Sequence, residues 1–126
     1  MKNLNDTLKL CLVSKIGFDE SFEEYSVVVN QAAQGGITML QLREKHSDIA
    51  LIKQRAIRLQ TLLKPYKTSL IINDLVELAD EIDADGVHIG QVDMDPNKAR
   101  QILGPDKIIG LSVESMEELM LSNDIV

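Results

Sequence analysis

Apolar residues along this chain fall into short continuous runs, separated by longer stretches in which they recur every three or four positions. The runs of β type are Leu8 to Val13, Gly36 to Arg43, Ser69 to Ile72, Gly86 to Ile89 and Lys107 to Ser112, and helical patterns lie between them. Tyr25, Val28, Val29 and Ala32 give the first long helix one apolar stripe, as Ile52, Ala56, Leu59 and Leu63 do the second, which suits packing against a parallel sheet. Ser21 with Glu24 and Ser115 with Glu118 read as capping boxes, Gly35-Gly36 ends one helix, Pro65 follows another, and Asp95-Pro96 and Gly104-Pro105 bracket a third. The pattern therefore predicts five βα units. Such units build either an open doubly wound sheet or part of an eight-stranded barrel, and the pattern by itself leaves both open.

The second run carries chemistry as well as structure. As a strand it places Ile37, Met39, Gln41, Arg43 and Lys45 on one face and Thr38, Leu40 and Leu42 on the other. The first face turns polar and cationic only at its carboxyl end. An amide, a guanidinium fork and an ammonium there suit a diphosphate, since Arg pairs bidentately and Lys adds a point charge. The plainer account is solvated charge at a strand exit.

Parallel αβ architectures bind ligands at the carboxyl ends of their strands, and further polar residues stand there. Asn73 and Asp74 follow the third run, where the plainer account is capping of the next helix, with Glu77 three residues after Asp74. After the fourth run comes His88-Ile89-Gly90-Gln91-Val92-Asp93, in which Gly90 lets the loop turn and His88 reads as a hydrogen-bonded packing residue. Asp74 and Asp93 on adjacent strand ends, together with the cations Arg43 and Lys45, suit Mg²⁺, which takes a few carboxylates plus phosphate oxygens. Ser112 offers a hydroxyl after the fifth run, or is simply a turn serine.

Composition narrows the classes. With 126 residues, 44% of them hydrophobic, the chain has the length of one domain with a real core. Thirteen cationic and 20 acidic residues give a net charge of −7, and no basic block interleaves with aromatics, so the footprint of a nucleic-acid binder is missing. No apolar segment follows a basic start, and none approaches the ~18 residues of a membrane span, which predicts a cytoplasmic protein without membrane contact. Cys11, the single cysteine, lies in an apolar run and reads as a buried core thiol.

Four segments in order resemble thiamine phosphate synthase: Gly-Ile-Thr-Met-Leu-Gln-Leu-Arg-Glu-Lys from Gly36, Ile-Ile-Asn-Asp from Ile71, Ala-Asp-Gly-Val-His-Ile-Gly-Gln-Val-Asp from Ala84 and Ile-Ile-Gly-Leu-Ser from Ile108. The resemblance runs from about Leu8 to the last residue and implies a TIM (β/α)8 barrel. It implies an enzyme that joins 4-amino-2-methyl-5-(diphosphooxymethyl)pyrimidine to a thiazole phosphate and releases diphosphate with Mg²⁺. Carried over by position, Gln41, Arg43, Lys45 and Asn73 bind the pyrimidine diphosphate, Ser112 contacts the same substrate, and Asp74 and Asp93 hold the metal. No covalent enzyme nucleophile is needed.

Departures from the family accompany the matches. A complete member continues for three more βα units, so the resemblance implies a single barrel domain over residues 1–126, a partial TIM barrel truncated on its C-terminal side. The thiazole phosphate loops and one diphosphate-contacting lysine are then missing, and unpaired edges on the first and fifth strands imply self-association or a missing C-terminal half. Lys15 stands where an acid is usual, Leu75 follows the Asn-Asp pair, and Glu114 stands where a histidine is common. Two alternatives compete. One is a non-catalytic barrel fragment that binds a partner chain or a diphosphate ligand. The other is a thiazole tautomerase, against which Asp74, Asp93 and Glu114 argue.

Overall fold

A computed structural model of the chain describes residues 3–14, 21–44 and 48–123. The elements run α1 (Leu4–Thr7), β1 (Cys11–Ser14), α2 (Phe22–Gly35), β2 (Met39–Leu42), α3 (Ile49–Leu63), a 3-10 turn (Lys64–Tyr66), β3 (Ser69–Asn73), α4 (Val76–Glu81), β4 (Gly86–Ile89), α5 (Pro96–Leu103), β5 (Ile108–Leu111) and α6 (Met116–Ser122). The sheet order is β1-β2-β3-β4-β5, and the pairs β1 with β2, β3 with β4 and β4 with β5 are parallel. This is the expected α/β fold of five βα units. Strands in sequence order suit a barrel segment and lack the reversal that a doubly wound sheet requires. Contacts divide the chain into two compact units, Met1–Leu70 and Ile71–Val126, with the boundary inside β3.

In the first unit, Asn3 Oδ1 accepts the Asn5 N–H at 2.8 Å and caps α1. Leu8 closes that helix with its N–H on Leu4 O at 3.0 Å. The strand therefore begins at Cys11 rather than at Leu8, because the first apolar residues of the run are spent on a helical turn. Gly36 ends α2 in the left-handed region at φ 108°, where a side chain would be strained, so β2 begins at Met39 rather than at Gly36. Thr38 ties the entries of three elements together. Its hydroxyl donates to Thr7 O at 2.7 Å and accepts the Leu10 N–H at 2.9 Å, and its carbonyl accepts the Ser69 N–H at 3.1 Å.

The helices of this unit bury one stripe each. In α3 it is Ile52, Ala56, Leu59 and Leu63, as the sequence predicts. In α2 it is Phe22, Tyr25, Val29 and Ala33, with Val28 exposed. The expected stripe through Val28 and Ala32 is thus rotated, because Phe22 anchors the start of α2 beneath the Arg58 guanidinium of α3, 4.3 Å from the ring centroid. Cys11 is exposed, contrary to the expected core thiol. Its strand pairs with β2, and exposed residues alternate along it with half-buried ones. Partial burial still raises the Cys11 pKa, a backbone hydrogen bond from Gln41 acting the other way.

In the second unit α4 packs against α5, and α5 against β5. Asp95 Oδ1 caps α5 by accepting the Asn97 N–H at 3.1 Å, with Pro96 at the first helical position. Ser115 Oγ caps α6 through the Glu118 N–H at 3.1 Å. The Glu118 carboxylate takes the Glu114 N–H at 2.9 Å, a reach one residue longer than the reciprocal bond of a capping box. Gly86 lies where any side chain would collide, since an added Cβ would stand 2.1 Å from Ile108 O on the neighbouring strand. Lys107 Nζ bonds Asp83 Oδ1 at 2.5 Å, and this bond and the Lys107 charge hold the Asp83 carboxyl below its ordinary pKa. Among the described residues no helix is long and apolar enough to cross a membrane.

Candidate functional site

The first unit holds Gln41 and Arg43 at the carboxyl end of β2. Gln41 is only 8% exposed, between Leu40 and Leu42, which are buried on the opposite face of the strand. Arg43 lies one residue past β2, but its N–H still bonds Ser14 O at 2.8 Å and continues the pairing with β1. Backbone position is therefore fixed while the side chain is exposed. Among the described residues the guanidinium has no hydrogen-bonding partner, which leaves its fork available to an anion. Lys45 lies outside the described residues, as does Lys15.

Two further features support this strand end, and sequence reasoning assigned neither. Glu44 is ion-paired with Arg55 of α3, their side chains 6% and 19% exposed. Ser14 Oγ and Tyr25 Oη are 2.6 Å apart, joining the end of β1 to α2. A pair drawn across a loop leaves no short-range spacing to read.

The second unit holds Asn73, Asp74, Asp93 and Ser112 at or beyond the carboxyl ends of β3, β4 and β5. Asn73 is opposite His88 in the β3–β4 register. Asp74 does not cap α4: the N-cap is Leu75, without a side-chain cap bond. Its backbone instead turns into the left-handed region at φ 68°, its N–H bonding His88 O at 2.9 Å and its carbonyl accepting the Val76 N–H at 3.1 Å. A non-glycine residue there is strained, and such strain gathers at functional positions.

After β4 the chain folds into a small turn in which the Asp93 N–H bonds Gly90 O at 3.2 Å and Asp93 Oδ2 accepts the Gly90 N–H at 2.7 Å. The glycine serves this approach, since an added Cβ would stand 3.1 Å from that oxygen. Its other carboxylate oxygen accepts no hydrogen bond from a described residue. Ser112, just past β5, is tied to the β4 exit. Its N–H bonds Ile89 O at 2.9 Å, its carbonyl accepts from Gln91 Nε2 at 2.8 Å, and its Oγ lies 2.8 Å from His88 Nε2. His88 is thus the hydrogen-bonded residue that the sequence suggests, and Ser112 is more than a turn serine. Gln91 and Gly110 belong to the same cluster and were not singled out as site residues. Glu114, the departure from the family's common histidine, is exposed.

The donor set can be tested against a metal. Among the described residues no three or more His, Cys, Asp or Glu side chains group closely enough to enclose an ion. Two carboxylates at neighbouring strand ends, one with an oxygen still open, fit Mg²⁺, which keeps water and takes substrate phosphate oxygens in most positions.

Comparisons with known proteins place the chain in a family. The family model described as thiamine monophosphate synthase matches residues 10–124. A thiamine-phosphate synthase of Vibrio campbellii is 50% identical over 92 residues, covering 73% of this chain and 45% of that protein. One from Campylobacter jejuni is 42% identical over 119 residues, covering 94% of this chain and 56% of the relative. The solved structure of thiamine phosphate pyrophosphorylase from Pyrococcus furiosus superposes with a TM-score of 0.83 at 32% identity, over 97% of this chain and 58% of that one. The chain spans about half the length of the curated relatives it matches.

Proposed function

We propose a function from one premise: the chain belongs to the thiamine monophosphate synthase family. The activity proposed is that of thiamine biosynthesis, in which an aminopyrimidine methyl diphosphate is joined to a thiazole phosphate. The methylene C–O bond breaks with its electron pair leaving on diphosphate, and the thiazole nitrogen supplies the pair for the new bond. The observation that carries this reading is the run of polar residues at three successive strand ends of the second unit: Asn73 and Asp74, Asp93, and Ser112.

In this proposal Gln41, Arg43, Lys45 and Asn73 bind the pyrimidine diphosphate and Ser112 contacts it. Asp74 and Asp93 would hold Mg²⁺, which supplies charge stabilisation to the departing diphosphate. Arg43 and Lys45 would add positive charge to the same departing group from the protein side. A cytoplasmic location follows from the proposed role in small-molecule biosynthesis.

Titration calorimetry with the pyrimidine diphosphate, with and without Mg²⁺, tests the assignment. Binding should tighten with Mg²⁺, and Asp93→Ala should remove that gain. Equal affinity in both conditions would sink the metal assignment.

A second reading is a non-catalytic barrel fragment that self-associates or binds a partner chain. The exposed apolar side chains Met116, Leu119, Met120 and Leu121 of α6 favour it. Assaying the chain with both substrates and Mg²⁺ beside light scattering separates the two. Turnover by a monomer excludes the fragment, while ligand binding without turnover in a larger assembly supports it.

A further inference from the structure

We propose that His88 is a positioning residue for Ser112, donating its Nε2–H to Ser112 Oγ so that the serine's own hydrogen is directed to an oxygen of the bound diphosphate. The proposal rests on the reading above in which Ser112 contacts that substrate.

Ser112 is held at all three of its polar groups by the exit of β4: its N–H by Ile89, its carbonyl by Gln91 and its hydroxyl by His88. Turn serines bond their own near neighbours. This hydroxyl reaches a residue 24 positions away instead. The reach depends on Gly110, paired with His88 across β4 and β5. A Cβ on residue 110 would stand 2.4 Å from Nδ1, 3.2 Å from Cε1 and 3.3 Å from Cγ, so the imidazole lies directly over that glycine. Glycine at 110 is what lets the ring lie there.

The partners of the two ring nitrogens favour one tautomer. A neutral imidazole has one N–H, on Nδ1 or on Nε2. Nδ1 occupies the space that a side chain on residue 110 would fill, and among the described residues it has no hydrogen-bonding partner. A proton on Nδ1 would have no acceptor among the described residues, whereas on Nε2 it makes the 2.8 Å bond to Ser112. With Nε2–H as donor, Oγ accepts on one lone pair and its O–H stays unspent. A free O–H donor suits an anionic phosphate oxygen. The opposite tautomer would turn the serine hydrogen toward the ring and present lone pairs to the anion.

Long-range ¹H–¹⁵N correlation on the ¹⁵N-labelled chain at neutral pH reads the tautomer directly. The chain has two histidines, so His88→Gln assigns the signal. The expected pattern is protonated Nε2 with unprotonated Nδ1, and protonated Nδ1 overturns the proposal. Calorimetry with inorganic diphosphate and Mg²⁺ supplies the second readout. Ser112→Ala and His88→Phe should each weaken binding about tenfold, the double variant should lose no more than either alone, and His88→Gln, which keeps a side-chain N–H, should recover part of the loss. Additive losses, or a loss in Ser112→Ala with none in His88→Phe, overturn the positioning role. Unchanged binding in Ser112→Ala overturns the substrate contact and this proposal with it. If the unaltered chain binds no diphosphate, the functional reading fails while the tautomer still decides whether His88 donates to Ser112.

Discussion

The carboxylate of Glu44 is ion-paired with the guanidinium of Arg55, binding the residue after Arg43 to the face of α3. Both side chains are largely buried, so removing Arg55 takes a cation from beside a buried carboxylate. Arg55→Met should destabilise the chain by about 3 to 5 kcal/mol, while Arg55→Met combined with Glu44→Leu should recover much of that loss. Urea unfolding of the two singles and the double forms the cycle, and additive losses would argue that the pair carries no coupling.

Arg43 should be replaceable by lysine without harm to the fold, because its side chain is exposed and its backbone makes the structural bond. Binding of the pyrimidine diphosphate should weaken by about 1 to 3 kcal/mol, the scale of a hydrogen bond to a charged group. An unchanged dissociation constant in the folded variant would return Arg43 to the status of solvated surface charge.

Two glycines should respond oppositely to alanine. Gly86→Ala drives a methyl to 2.1 Å from a backbone oxygen that cannot move without parting β4 from β5. It should cost at least the 1 to 3 kcal/mol, roughly, of an overpacked core site. Gly35, the last residue of α2, has nothing within 4 Å of an added Cβ. Gly35→Ala should be neutral or stabilising by up to about 1 kcal/mol through the unfolded chain. Thermal unfolding ranks the two.

The Asp83 and Lys107 bond predicts a specific acid dependence. Because the folded pKa of Asp83 lies below its unfolded value, the contribution is complete above the ordinary aspartate range near pH ~3.9 and is lost as pH falls through the lowered folded value. Asp83 is exposed, so the pair is worth at most about 1 kcal/mol and is screened by salt. The stability gap between the unaltered chain and Asp83→Asn, measured by urea unfolding, should be present at neutral pH and close in acid. A gap that persists at the lowest pH would assign the effect to something other than this charge.

Local signals were legible and long-range ones were not. β4 stands where its apolar run predicts, Gly86 to Ile89, and Ser21, Asp95 and Ser115 cap the helices that their positions announce. The stripe of α2 runs through Phe22, Tyr25, Val29 and Ala33, and Phe22 packs under Arg58, a contact from another helix that local spacing does not announce. Asp74 with Glu77 has the form of a cap, but the N-cap of α4 is Leu75, one residue further on. The candidate site divides the same way. Which residues stand at strand ends could be read from the chain. That Glu44, beside Arg43, pairs with Arg55, and that Ser112 is held by His88 and Gln91, depends on partners brought close by folding.

The left-handed backbone of Asp74 also sets a trap for redesign. Glycine adopts φ 68° without the steric cost that any side chain bears there, so a screen for heat resistance should favour Asp74→Gly. On the proposed reading each such gain discards a magnesium ligand. Position 74 is therefore where selection for durability and selection for chemistry pull in opposite directions, and a library built for the first should leave it untouched.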